Sequence, residues 1–400
     1  TPCAIPGNYD LSQLRKAIEG FIKGWSWIID STVTFQVHGA GYDFPDLIAA
    51  MAYLRRFYIT INGHVILQLA GAPQGAAQAA QYVYTKPVVF EHPQNNRISV
   101  LGARLLAQVP RNDGYYQSNG YNPQQQAADT AANLAMLRTK FATELHFVGW
   151  DQSNMPAEYF QVQGIIIWKA PMLMDLDGIL MTSDGIAGGA GGLGHYSVEG
   201  FANNGSPLGG AGLAVVGFSG NGVFFELGCA CGYEGPGSTE ISSTPVIVLG
   251  NGGGGVALGD GSYITMSGNL VAISNGSYGF VLWPRTGAQM DGGVHARSNT
   301  GHGVQCGWES TCFIYGPRGT GGNAYDTSHL WQNGQWGWWG HHGWGNCYID
   351  CGAGTAYANA AGSVYAEGGS NINCFAGDQH ISGACSPPWM TIGNNQGMIF

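Results

Sequence analysis

Three asparagines, Asn251, Asn275 and Asn299, stand 24 residues apart, and each opens a turn that closes on a glycine four residues later, at Gly255, Gly279 and Gly303. In a glycine-rich stretch that interval carries little by itself. What constrains the fold is the apolar pattern running in phase with it. Five and three residues before each asparagine stand Val246 and Val248, Leu270 and Ala272, Val294 and Ala296. Five and seven residues after it come Val256 and Leu258, Phe280 and Leu282, Val304 and Cys306. Thirteen and fifteen residues after it come Ile264 and Met266, Ala288 and Met290, Cys312 and Ile314. An apolar pair at i and i+2 marks one face of a short strand, because side chains of an extended chain alternate sides. Each unit therefore predicts three strands, and a fixed period predicts that each unit stacks on the next. The expected fold is mainly β, a parallel β-helix of 24 residues per coil.

Weaker copies flank this set. Val216 and Phe218 precede Asn221, with Val223 and Phe225 after it; Ala356 precedes Asn359, with Val364, Ala366, Ile372 and Cys374 after it. A further coil is expected at Asn333, between Leu330 and Trp338, 34 residues after Asn299, with the surplus thrown out as a loop over Gly316 to Asp326. Asparagine suits such corners because it tolerates left-handed backbone and its amide can bond to the neighbours above and below. Between the inward residues lie Ile247, Leu249, Val271 and Ile273, followed by His295 and Arg297. A sheet that is apolar on both faces is covered on both. Subunits around a threefold axis are the expected cover, with the chain's own helices as the alternative.

The first 150 residues read as a small α/β region. Asp10 to Lys23 and Asp46 to Tyr58 carry apolar residues at helical spacing, each opened by an aspartate suited to an N-cap. Thr32 to Val37, His64 to Leu69, Pro87 to Phe90 and Arg97 to Leu101 read as strands. Gln124 to Leu145, rich in Gln and Ala with a broken apolar stripe, reads as a surface or inter-chain helix. The expected division is 1–150 as lead-in with the first coils, 151–385 as the stack, and 386–400 as a tail or cap.

Composition narrows the class. Charged residues make up 10% of the chain and glycines number 66, against 44% hydrophobic residues. Disorder shows the reverse balance, so the chain folds, and its surface is expected to be made of amides, hydroxyls and aromatics, as suits an extracellular protein. A net charge of −10 gives no basic footprint for nucleic acid. No apolar run reaches the ~18 residues a membrane span needs. The chain begins at Thr1 without a basic and then apolar leader, from which removal of a start residue or leader is expected. Of nine cysteines, six lie between Cys306 and Cys385, to be read as disulfides or buried thiols. Cys347 and Cys351 beside His341 and His342 lack the paired spacing of a zinc site, so neither metal nor cofactor is expected.

Two segments carry a resemblance. One is the lead-in Asp46–Leu54, His64–Ala70, Pro87–Pro93 and Arg97–Gly102; the other is the run of coils from Val215 to Phe375, with Ser-Asn-x3-Gly turns at Ser274 and Ser298. Over about two thirds of its length the chain resembles bacteriophage tail-spike and tail-fibre proteins of the pectate-lyase-like right-handed β-helix class. The resemblance implies a homotrimeric virion appendage, attached to other virion proteins through its N-terminal region, that meets a host surface polysaccharide or lipopolysaccharide during adsorption. Some members of that class cut the glycan and others hold it. Binding is therefore the expectation, a hydrolase or lyase the alternative, and a decoration fibre without ligand a second one.

Glycoside hydrolysis needs two carboxyl groups roughly 5 to 10 Å apart. Asp260, nine residues after Asn251, and Glu309, ten after Asn299, fall two coils apart, about 10 Å at strand spacing. Arg285 takes the Glu309 register on the coil between them, so a surface charge ladder competes with catalysis. Lyase chemistry would call on His295, Arg297 and Arg318. No nucleophile elbow and no P-loop is present, and the glycine run Gly252 to Gly255 leads into a strand rather than a helix. Five of twelve tryptophans fall within residues 331–344. Trp338 and Trp339 are adjacent and take opposite faces of a strand. Trp336, Trp338, Trp339 and Trp344 are the candidate glycan contacts, against packing inside a coil or at a trimer axis, or a protein or membrane contact.

Overall fold

The computed structural model describes residues 27–39, 41–110, 113–148, 163–168, 175–184, 191–196, 199–203, 212–234, 246–266, 269–290, 294–307, 309–314, 328–331, 333–341, 348–351, 354–357, 359–366, 371–373, 385–386 and 398–399. The helix expected over Asp10 to Lys23 and the loop over Gly316 to Asp326 lie outside them. The described chain is mainly β, with two α-helices, and its strands pair in parallel.

Three long sheets dominate, of nine, ten and eight strands. From Val246 onward the chain visits them in turn: Val246–Leu249 in the nine-stranded sheet, Val256–Leu258 in the ten-stranded, Tyr263–Met266 in the eight-stranded, then Leu270–Ile273 back in the first. Val246 pairs with Leu270 and Leu270 with Val294; Val256 with Phe280 and Phe280 with Val304; Ile264 with Ala288 and Ala288 with Cys312. The apolar columns expected from the 24-residue period are thus formed, and the side chains just named are buried in one core. Burying such a side chain is worth about 1.5–3 kcal/mol, which makes these columns the main cohesive element of the stack. Strands Ala80–Tyr84 and Thr143–Phe147, and Val88–Phe90, already belong to the nine- and ten-stranded sheets. The arrangement is compatible with a parallel β-helix.

The asparagines form a continuous amide ladder. Asn275 Oδ1 accepts from the backbone N–H and from Nδ2 of Asn251, both at 3.1 Å. Its own Nδ2 donates to Asn299 Oδ1 and to the Val248 carbonyl. The same pattern continues through Asn299 and Asn333 to Asn359, so the expected coils at Asn333 and Asn359 are in register. The left-handed residue at each corner is not the asparagine but its predecessor: Gly250, Ser274 and Ser298 have φ of 58°, 57° and 52°. A Cβ on Gly255 would lie 2.4 Å from the Gly279 carbonyl oxygen, so glycine is needed there for close coil-to-coil approach.

Asn221 departs from the expected alignment. Val216 pairs with Leu249, which places Phe218 at the Asn251 position, and the Phe218 N–H donates to Asn251 Oδ1. Asn221 sits outside the ladder and accepts instead from the Gly254 N–H at 2.8 Å.

Cover of the outward apolar columns comes from the chain itself. Ile247, Leu249, Val271 and Ile273 form a second cluster with Val109, Tyr116, Leu137 and Phe141. This corrects the preference for a neighbouring subunit on that face. Helix α1 spans Leu47–Leu54 and helix α2 spans Pro123–Arg138. Asp46 caps α1 as expected, its Oδ1 accepting from the Ala49 N–H at 2.7 Å. α2 is shorter than expected; Thr143–Phe147 is a strand, its Thr143, Leu145 and Phe147 alternating with Glu144 and His146. The buried positions of α2 are Gln126, Asp129, Asn133 and Leu137, which explains the broken apolar stripe: its inner face is largely polar and hydrogen-bonded. Gln126 Nε2 bonds to the Asn275 and Ser298 carbonyls, and Asp129 accepts from the Asn119 N–H. His295 and Arg297 are buried as well, which removes them as solvent-facing groups for lyase chemistry.

Candidate functional site

The ten-stranded sheet has a different outer face. Ile166, Phe224, Ala257 and Val281 are buried on its outward register, with Val89, Leu227, Tyr278 and Trp283 partly buried against them. Three aromatic rings meet edge to face there. Trp283 lies 5.6 Å from Phe224, centroid to centroid, and 6.1 Å from Tyr278, at interplanar angles of 70° and 86°. Glycines form the floor. A Cβ on Gly254 would overlap the Tyr278 ring, and one on Gly259 would touch Trp283 at 3.4 Å and Glu226 and Phe224 at 3.8 Å. Tyr278 OH donates to Asn221 Oδ1 at 3.3 Å, so the asparagine that left the ladder positions the ring. Burial raises the Tyr278 hydroxyl above the usual tyrosine range, which keeps it a neutral donor.

Glu226 borders this aromatic ledge. It follows Phe225, whose partner on the next strand is Leu258, so Glu226 stands beside Gly259 and close to Asp260. Its Oε2 is buried and makes no hydrogen bond among the described residues. Burial, and secondarily the Asp260 charge, push its pKa up to about 6. Another buried carboxylate shows the contrast. Burial also pushes Glu144 upward, but Arg138, Thr182 and Gln81 all donate to it and hold it below the ordinary carboxylate value. Glu144 is held by an ion pair and hydrogen bonds, and Glu226 Oε2 has no such partner among the described residues.

Of the expected acids, Asp260 is exposed at a left-handed corner, φ 48°, flanked by Gly259 and Gly261. Glu309 forms an ion pair with Arg285 on the adjacent coil, Nε to Oε2 at 3.2 Å, both exposed and both left-handed. That pair is one rung of the charge ladder weighed as the competing reading, which also included Asp260. Trp336, Trp338 and Trp339 lie on strand Trp336–His341, and Trp344 lies outside the described residues. Trp338 is in register with Val304 and Val364, the core column; Trp339 is in register with Gln305 and Tyr365, the outer-face column two strands beyond Val281. The adjacent tryptophans therefore take opposite registers. Glu226 and Trp283 were not singled out in the sequence. The signal available for Trp283 was its place directly after the inward pair Phe280 and Leu282, where the period puts an outward residue.

No protein-family model, no curated protein and no solved structure matches the chain.

Proposed function

We propose that this chain is a right-handed parallel β-helix of the bacteriophage appendage kind and that the outer face of its ten-stranded sheet holds a host surface glycan during adsorption. The handedness follows from the strong preference of parallel crossover connections. The observation that carries the binding reading is the partly buried pair Tyr278 and Trp283, set against the buried Phe224 ring over a glycine floor, with Glu226 at its border. Apolar rings beside a few fixed polar groups suit the C–H faces and hydroxyls of sugars. Trp339 extends the same register along the stack and is retained as a contact. The face's carboxylates favour neutral or amino-bearing sugars over polyanionic ones. Location on a virion, attachment through the N-terminal region and a homotrimer belong to this proposal; they rest on the resemblance, since helix α2 now accounts for the apolar columns that had asked for a partner. The test is adsorption of purified protein to immobilised bacterial polysaccharides and lipopolysaccharides. Trp283→Ala, with unchanged circular dichroism, is expected to weaken retention about tenfold or more; retention equal to the parent's removes the ledge from the site.

A second reading, hydrolysis, is favoured by the raised acid. Glu226 ends strand Val223–Glu226, and Asp260 lies in the turn after strand Val256–Leu258, one residue past Gly259, which stands opposite Glu226; a pair of carboxyl groups is what glycoside hydrolysis needs. Glu226 in its acid form would protonate the leaving oxygen, while Asp260 takes a proton from the water that adds to the anomeric carbon. This replaces Glu309 by Glu226 in the candidate pair. New reducing ends released from a polysaccharide by the parent, lost in Glu226→Gln and Asp260→Asn but kept in Glu309→Gln, are the expected result. Equal release by all four proteins sinks this reading while leaving binding intact.

A further inference from the structure

Helix α1 is held at each end by a buried histidine. At its first turn the Leu47 N–H donates to the Tyr84 hydroxyl at 3.1 Å, and that hydroxyl lies 2.9 Å from His38 Nε2. His38 sits in left-handed backbone, φ 76°, and its ring stacks on Tyr82 at 3.9 Å and 10°. The ring also bonds to the Pro45 carbonyl. A carbonyl can only accept, so a neutral ring spends its N–H there and takes the Tyr84 proton on Nε2. Past the other end of the helix, His92 Nε2 is 3.0 Å from the Phe57 carbonyl, which can only accept. His92 Nδ1 receives the Gln94 N–H at 3.0 Å, which can only donate. Its two partners therefore fix one neutral tautomer. A proton added at Nδ1 would set two N–H groups against each other in a site closed to water. His64 differs: its partner is the Ser99 hydroxyl at 2.8 Å, which can turn to accept or to donate, so that ring tolerates either form.

The surroundings offer little to hold a charge on either ring. Around His38 stand Tyr82, Tyr84 and, through Tyr82, Tyr42, with Asp46 as the carboxylate that acts on it. Asp46 is already engaged in capping α1. Beside His92 in the chain, Glu91 is ion-paired with Arg55. The carbonyls of Phe57 and Leu54 favour a charged His92 without offsetting its burial. Burial holds both rings below the usual histidine range, His38 down to about 4. We propose that His38 and His92 form an acid-released latch on α1: neutral they hold the helix, and protonated they let it go while the later coils stay wound. The ordinary histidine value is 6.5 and the folded value lies lower, so the latch is fully engaged above pH 6.5 and loosens as pH falls from there through about 4. Release frees Leu47, Ala50, Met51 and Leu54 from the core. The corners of the later coils are hydrogen-bonded amides and hydroxyls, Asn251 to Asn359 on one side and Ser262, Thr286 and Ser310 on another, which take up no proton in this range.

Amide hydrogen exchange on the full chain at pH 7 and pH 4.5, corrected for the pH dependence of the intrinsic rate, tests this. Between the two, the opening equilibrium of residues 47–54 is expected to rise about a hundredfold, against less than about threefold for strands Val256–Leu258 and Phe280–Leu282. In the double variant His38→Gln, His92→Gln, whose amides take up no proton, the rise in the helix is expected to shrink to about threefold or less. Equal rises in helix and strands overturn the proposal, as does no rise in the helix, or a full rise that survives in the variant. Should the variant not fold, an NMR titration of the ring nitrogens in the parent decides: protonation of His38 and His92 over the same pH range in which α1 opens supports the latch, and protonated rings under a closed helix refute it.

Discussion

At the scale of single residues, Asn275 shows why the corners are so tightly specified. Its amide has two N–H donors and an oxygen with two lone pairs, and all are used: two bonds from Asn251, one to Asn299, one to the Val248 carbonyl. Asn275→Ala strands several of these groups in a site closed to water, at about 1–3 kcal/mol each. Chemical denaturation is expected to show a loss of about 3 kcal/mol; a loss below ~1 kcal/mol would mean that neighbouring groups re-pair without the amide. Glu226 has the opposite economy, a carboxyl whose burial is not compensated. Its folded pKa, about 6, lies above the ordinary 4.5. Below the lower value it is protonated in folded and unfolded chain alike, and no stability is at stake. As pH rises through the folded value, the native state has to carry a poorly solvated charge and stability falls. Glu226→Gln is therefore expected to raise stability at about pH 7.5 and to leave it unchanged near pH 4, read from urea midpoints at both. A stabilisation of equal size at both values would trace to packing rather than to charge.

At the scale of elements, α2 separates what the sequence could tell from what it could not. The strands of the repeat were legible because each inward residue has another apolar residue 24 positions on, so Val256, Phe280 and Val304 announce one column. The coil before them was misaligned on Asn221 because its corner is filled by Phe218, whose backbone N–H takes the ladder bond while the ring packs 6.0 Å from Phe147. α2 was legible as a helix but not as the cover of the sheet, since Gln126, Asp129 and Asn133 reach backbone groups instead of forming an apolar stripe. Leu137 is the apolar anchor at its far end, fully buried against the outward columns. Leu137→Ala is expected to cost about 3 kcal/mol and to speed hydrogen exchange along α2 ahead of the sheets. Exchange that stays uniform would show that the polar contacts alone hold the helix. The ledge was illegible for a further reason: Phe224 and Glu226 share one strand, while Trp283 comes just after the second strand along the sheet, far away in sequence though adjacent in space. A search for dense clusters finds Trp336 to Trp344 and passes over them.

At the scale of the whole molecule, the stack behaves as a one-dimensional array in which a coil contacts chiefly the coils on either side. Removing residues 270–293, one full period, leaves Val246 over Val294 and Asn251 over Asn299. That deletion is expected to preserve the β circular-dichroism spectrum and a cooperative melt. Deleting only 270–281, half a period, removes the first-sheet strand Leu270–Ile273 and most of the second-sheet strand Phe280–Leu282, puts residues 282–285 at the first-sheet position and is expected to yield aggregated protein; comparable folding of both would deny that period governs the fold. The amide ladder also gives the array a direction. Within it each oxygen accepts from the asparagine of the earlier coil, and each Nδ2 donates to the asparagine of the later coil besides a carbonyl of the earlier one. A growing chain therefore ends each round of winding with a vacant socket shaped for the carboxamide that follows. Synthesis from the amino end meets those sockets in the order in which they open, and winding propagates like a ratchet whose teeth engage one way.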